Sequence, residues 1–164
     1  MIEAVIFDLD GTLIHLPLDY DKLFLEIRRI LGTDNVRPLL KVLAMANASE
    51  RKRIFKVWDD IELETLPHVT SVDEGMKLYR EYARKPIALV TMQGAAFVQV
   101  VLRKLELSFN AIATREDGLD RVKQLELVRR KLELQFGSIL FVGNKDYDQA
   151  AADEVKCQFR KVEE

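Results

Sequence analysis

The run Ile2-Glu3-Ala4-Val5-Ile6-Phe7, continuing into Asp8-Leu9-Asp10-Gly11-Thr12-Leu13, decides how the rest of the chain is read. Its first part is a short apolar strand with an acid at its end. Side chains of an extended segment alternate in direction, so Asp8 and Asp10 address the same space if the strand runs on past Asp8. Two carboxylates side by side in a partly dry pocket require a cation or a shared proton. Gly11 permits a sharp turn and Thr12 offers a hydroxyl to pin it. The set suits a carboxylate nucleophile with an acid/base partner and a hard divalent metal. An ordinary Asp-Gly turn would account for Asp10, Gly11 and Thr12. It would not account for Asp8, directly behind a run of branched and aromatic residues.

Working outward, four further segments read as strands: Ile87-Ala88-Leu89-Val90, Ala111-Ile112-Ala113, Ile139-Leu140-Phe141-Val142 and Gln158-Phe159-Arg160-Lys161-Val162. The runs at Ile2, Ile87 and Ile139 are apolar on both faces, as expected of inner strands in a parallel sheet covered by helices. Helical spacing lies between them, through Phe97, Val100, Val101 and Lys104-Leu105, and through Leu125, Val128, Leu132 and Gln135-Phe136. Alternating strands and helices predict an α/β fold, a Rossmann-like doubly wound parallel sheet.

The segment from Asp8 to Pro86 is too long for one crossover. Tyr20, Leu23, Phe24, Ile27, Ile30 and Leu31 mark a helix ending at Gly32, Pro38 starts a second through Leu43, and Ile54, Val57, Trp58 and Ile61 mark a third. Ser71-Val72-Asp73-Glu74 reads as a capping box for a helix through Leu78 and Tyr82. The expected organisation is a core domain of residues 1–14 and 71–164 with a small all-helical cap inserted at residues 15–70. His15 and His68 at the edges of the insert read as polar surface, and Trp58 as cap core.

In an open parallel sheet, ligands bind at the carboxyl ends of the strands. Asp8 and Asp10 follow the first strand. Thr91-Met92-Gln93-Gly94 follows the second, a hydroxyl and backbone amides at a helix start that form an anion seat. A polar loop with Arg115, Arg121 and Lys123 follows the third, and Gly143-Asn144-Lys145-Asp146-Tyr147-Asp148, rich in oxygen ligands, follows the fourth. Each piece alone is common. Four of them at one edge of one sheet are not.

On these residues the chain resembles the haloacid dehalogenase-like (HAD) hydrolase superfamily, most closely its phosphoglycolate phosphatase and β-phosphoglucomutase branch. The D-x-D-G-T-L motif at Asp8 is the specific part, and V-G-x-x-x-x-D from Val142 to Asp148 supports it. The resemblance implies that Asp8 is a nucleophile forming an aspartyl-phosphate and that Asp10 protonates the leaving group and then activates water. Thr91 and the amides near Met92 would hold the phosphoryl group, with Thr12 beside them. A basic residue of the third motif would offset charge, and here Lys123 is preferred to Arg121 by side-chain type. Asp8, Asp10, Asn144 and Asp148 would hold Mg2+. Asn144 stands where the family pattern has an aspartate, and a carboxamide oxygen is a legitimate but neutral ligand for a hard cation. The expectation is a magnesium-dependent phosphatase acting on a small phosphorylated metabolite. The alternatives are a phosphomutase, or a weak or inactive relative kept as a binding module. Dehalogenases of the superfamily lack an acid at the place of Asp10, which favours phosphate chemistry.

A net charge of -2 over 164 residues gives no electrostatic reason to expect nucleic acid or membrane partners. A single cysteine, Cys157, rules out an intramolecular disulfide and fits a reducing compartment. The strand beginning at Ile2 leaves no room for a signal peptide, so a cytoplasmic protein is expected.

Overall fold

The computed structural model describes residues 1–164. β1 (Ala4–Asp8), β4 (Ile87–Val90) and β6 (Ile139–Gly143) are buried along their whole length. They are the three inner strands of a five-stranded sheet with order β5-β4-β1-β6-β7, parallel throughout, with β5 (Ala111–Ala113) and β7 (Gln158–Lys161) at its edges. The strands with apolar residues on both faces are thus the interior ones, as the sequence predicts. Edge strand β7 carries the exposed Gln158 and Lys161, the kind of polar residue that keeps an open edge from pairing with other chains.

Pleating divides the apolar residues between two layers. Val5 and Phe7 of β1 point to one face with Leu89, Leu140 and Val142, and Ala4 and Ile6 to the other with Ala88, Val90 and Phe141. On the second face, Leu125 and Val128 of α6 (Arg121–Leu132) and Ala151 and Ala152 of α7 (Asp146–Val155) complete the layer. On the first face lie Leu78 of α4 (Asp73–Tyr82) and Phe97, Val98, Val101 and Leu102 of α5 (Ala95–Leu105). Val100, expected on the inner face of α5, is exposed instead. The helix buries pairs of adjacent residues, and its apolar stripe is rotated away from that position.

The insert forms α1 (Tyr20–Leu31), α2 (Leu39–Met45) and α3 (Ala48–Glu64). α1 is capped by Asp19, whose carboxylate accepts the Lys22 N–H at 3.0 Å, and ends on left-handed Gly32. α3 opens with a reciprocal capping box between Asn47 and Glu50. Leu23 and Ile27 of α1 and Ile54, Trp58 and Ile61 of α3 join the same apolar cluster as Phe7 and Leu9. Tyr20, expected on that stripe, is exposed. The two ends of the insert meet in an antiparallel ribbon of β2 (Ile14–His15) and β3 (Thr70–Ser71).

That ribbon overturns the expected capping box at Ser71. Ser71 pairs with Ile14 and the Val72 N–H donates to the Leu13 carbonyl at 2.9 Å, holding the chain extended up to Val72. α4 therefore starts at Asp73 without a side-chain cap. No helix is long and apolar enough to cross a membrane.

Candidate active site

The sheet register brings the pieces together. Asp8 lies opposite Val90 and Phe7 opposite Val142, so Asp8, Thr91 and the Asn144 turn begin at neighbouring strand ends. After Asp8 the chain turns tightly, and the N–H groups of Thr12, Leu13 and Ile14 all lie within 2.9–3.2 Å of the Leu9 carbonyl. Gly11 adopts φ 83° there, and a Cβ on it would stand 2.0 Å from the Asn144 amide. Backbone conformation and close approach both require glycine. Asp10 accepts the Leu16 N–H on Oδ1 at 3.1 Å, which ties its carboxylate to the chain entering the insert.

Asp8 is 3% exposed, and its neighbours are specific. The Thr12 hydroxyl donates to its Oδ2 at 3.3 Å, and Arg121 Nη2 donates to its Oδ1 at 3.0 Å. The same guanidinium reaches Asp148 Oδ1 through Nε at 3.0 Å and Gln124 Oε1 through Nη1 at 2.6 Å. The cation beside Asp8 is thus Arg121 and not Lys123, the residue preferred by side-chain type. Asp120 caps α6 through the Val122 N–H, so Arg121 is the first helical residue and points at the site. Lys123, two residues on, is turned about 200° around the helix and is exposed.

Burial pushes the Asp8 carboxyl up to about 7 against the pull of Arg121, and Asp148 adds to the push. Burial also raises Asp10 above the usual carboxylate range, with Lys145 opposing. A carboxyl whose hold on its proton is strengthened in this way suits an acid that serves a leaving group.

The anion seat after β4 is largely taken by the protein's own carboxylates. Glu62 of α3 accepts the Gly94 N–H at 3.1 Å, and Glu116 accepts the Ala95 N–H at 3.2 Å. The Thr91 hydroxyl donates to Gln93 Oε1, so it must turn to meet a phosphoryl group. The Met92 N–H has no partner in the protein and remains free for an anion. Glu62 is itself held by Arg115 Nη1 at 2.8 Å, while Nη2 of the same arginine meets Asp59 at 2.5 Å and its guanidinium lies 4.2 Å over the Trp58 ring. Arg115 is 1% exposed. It joins α3 of the insert to the loops after β4 and β5.

Gln124 and Glu62 escaped the sequence reading, and Arg115 was placed there only as a cation of the polar loop after the third strand. Gln124, buried in α6, places its amide within 2.8–3.1 Å of the carbonyls of Thr91, Thr114 and Gly118 and its oxygen on Arg121. Its signal is weak, a polar residue three after Arg121 on a helix face. Glu62 and Arg115 lie far apart in sequence, and only the tertiary fold pairs them. Asp148, placed among the metal ligands by sequence, is fully buried and spends both oxygens inside the protein. Oδ1 takes Arg121, and Oδ2 accepts the N–H groups of Asn144 and Lys145 at 3.3 and 3.2 Å.

No three acidic, histidine or cysteine side chains gather closely enough to hold a metal ion by themselves. The amide terminus of Asn144 does lie 3.1 Å from Asp8 Oδ2 and 3.2 Å from the Asp10 carbonyl oxygen. With its oxygen inward, these three oxygens form one face of a coordination sphere for a hard divalent cation. The residues fit such an ion in that amide orientation, with one anionic ligand.

No protein-family model matches the sequence, and no curated protein matches it. Solved structures do match over nearly the whole chain. A haloacid dehalogenase-like family hydrolase of Streptococcus pneumoniae superposes with a TM-score of 0.70 at 18% identity, covering 96% of this chain and 83% of that one. CbbY of Rhodobacter sphaeroides, solved in complex with phosphate, gives 0.70 at 18% identity over 97% and 85% of the two chains. A HAD family enzyme of Bacteroides thetaiotaomicron, in complex with magnesium and inorganic phosphate, gives 0.61 at 12% identity over 98% and 94%. The chain has the haloacid dehalogenase-like hydrolase fold.

Proposed function

We propose that this chain is a magnesium-dependent phosphatase of the haloacid dehalogenase-like superfamily, in its phosphoglycolate phosphatase-like branch, acting on a small phosphorylated metabolite. The observation that carries the reading is the Asp8 carboxylate at the end of β1, with Arg121 on one oxygen, Thr12 on the other and Asp10 two residues along. An Asp8 oxygen attacks the phosphorus of a phosphate monoester, and the bond from phosphorus to the ester oxygen breaks. The proton of Asp10 goes to the departing alkoxide. Water then attacks the phosphorus of the aspartyl-phosphate, Asp10 takes its proton, and the Asp8 carboxylate is released with inorganic phosphate. Arg121, the Thr91 hydroxyl and the Met92 N–H offset negative charge on the equatorial oxygens. A magnesium ion held by Asp8, the Asp10 carbonyl and Asn144, with Asp148 behind them, would supply further charge compensation.

The burial of Asp8 supports a role for the insert. Residues 15–70 are proposed to act as a cap over a core of residues 1–14 and 71–164, opening for substrate and closing to exclude water. The buried single cysteine and the modest net charge support a cytoplasmic enzyme without nucleic acid partners. A second reading, an inactive binding module, has a specific observation behind it. Asn144 removes an anion from the cation seat, while Arg121 and Thr12 already engage both oxygens of Asp8.

The deciding assay is hydrolysis of a chromogenic phosphate ester with magnesium, beside the isosteric Asp8→Asn variant. Hydrolysis that requires both Asp8 and magnesium is expected. A wild-type rate no higher than that of Asp8→Asn would favour the binding module.

A further inference from the structure

The Asn144 carboxamide has two orientations with opposite chemical consequences. With nitrogen inward, Nδ2 donates to Asp8 Oδ2 at 3.1 Å and to the Asp10 carbonyl at 3.2 Å. With oxygen inward, Oδ1 accepts from the Thr12 hydroxyl at 3.4 Å, but it then faces the same two acceptors with no proton between them. That second arrangement is unfavourable unless a cation sits among the three oxygens. A carboxamide can present either a donor or an acceptor at one place, whereas an ionised carboxylate presents only acceptors.

We propose that Asn144 is a two-position closure on the cation seat. Without a divalent cation its nitrogen bridges Asp8 and Asp10, and it turns its oxygen inward when the cation enters. The proposal takes the location of the seat from the phosphatase reading and adds how the seat is governed. In the cation-free protein both Asp8 oxygens and the Asp10 carbonyl are satisfied. Arg121 and Thr12 serve the Asp8 carboxylate, and the amide links Asp8 to the turn at Asp10. A cation has to replace two hydrogen bonds before it gains three ligands, so the protein keeps its shape when metal is scarce and binds metal weakly. An aspartate at this place would invert both properties. It would hold the cation more tightly, and without it would bring another anion against Asp8.

Two measurements with magnesium ions alone test this without reference to turnover. The first follows the Asn144 side-chain amide signals of 15N-labelled wild-type protein during a magnesium titration. They are expected to shift with the same midpoint as binding, because the N–H2 group leaves its two acceptors. The second compares wild type with Asn144→Asp by calorimetry and by thermal melting with chelator and with magnesium. The variant is expected to bind magnesium about tenfold or more tightly, to melt below wild type in chelator, and to gain more than wild type when magnesium is restored. Unmoved Asn144 amide signals at saturating magnesium would overturn the proposal, as would a variant that binds no more tightly than wild type. Absence of magnesium binding in both proteins would overturn it too. Should the variant not fold, the wild-type titration decides alone. A wild type whose amide responds to magnesium but hydrolyses no ester would refute the phosphatase reading and leave this one standing.

Discussion

Arg121 separates two buried carboxylates, with Nη2 on Asp8 and Nε on Asp148, and a planar fork of donors is what that task demands. Arg121→Ala would leave both acids uncompensated in a dry site. Its expected cost is about 3–5 kcal/mol in urea unfolding, along with loss of ester hydrolysis. Lys123→Ala, on the exposed side of the same helix, should change stability by no more than about 0.5 kcal/mol and leave hydrolysis intact. The reverse pattern would restore Lys123 as the catalytic cation. Asp8, Asp10 and Asn144 were legible in sequence because they flank strand ends. The choice between two cations two residues apart was not, since it depends on which residue Asp120 caps as the first of the helix.

Glu62 and Asp59 share one arginine, so a single positive charge faces two acids. Burial pushes the Glu62 carboxyl from 4.5 up to about 7, and Asp59 rises for the same reason. The folded protein therefore retains a proton on Glu62 that the unfolded chain releases. This contribution to stability is complete below about 4.5 and is lost as pH rises toward about 7. Urea titrations across that window should show Glu62→Gln with a shallower decline than wild type. The slope should not vanish, because Asp8, Asp10 and Asp59 shift in the same direction. An unchanged slope would mean that Glu62 titrates as an ordinary surface acid.

Among the elements, α4 shows what local sequence conceals. Gly75 lies inside this helix, where alanine is normally favoured by about 1 kcal/mol, yet a Cβ there would stand 1.6 Å from the Thr12 carbonyl oxygen. The helix packs directly on the turn that carries Asp10 and Thr12. Gly75→Ala should therefore destabilise the protein by about 1–3 kcal/mol through overpacking, and a raised melting temperature would show that the contact relaxes freely. Strand positions were readable because apolar runs with no polar face fit only inner parallel strands. Helix ends were less so. Gly32 terminates α1 as expected, whereas Glu106, Glu133 and Lys156 take left-handed conformations in which glycine is usual. The ribbon of β2 and β3 was invisible because two-residue strands carry no periodicity.

At the scale of the whole molecule, the sequence divides the chain into core and cap, while one apolar cluster runs from Phe7 and Leu89 to Ile27, Ile54 and Trp58. The buried bridge from Arg115 to Glu62 and Asp59 crosses the same boundary. Both tie residues 15–70 to the sheet. Trp58 is the only tryptophan, so its fluorescence reports on the insert, and far-ultraviolet circular dichroism reports on all helices. The two signals should lose structure in one coincident transition. A fluorescence transition at lower denaturant would show that the cap unfolds on its own. Trp58→Ala should cost about 3–5 kcal/mol in that shared transition.

Acid quenching during turnover of a phosphate ester, followed by peptide mapping, tests the nucleophile most directly. With an ester whose leaving group departs without a proton, the phosphoryl group is expected on the peptide containing Asp8, and in larger amount in Asp10→Asn, where no base activates water. Hydrolysis that proceeds in wild type with no phosphoryl group on Asp8, or with one on another residue, would contradict the assignment of Asp8.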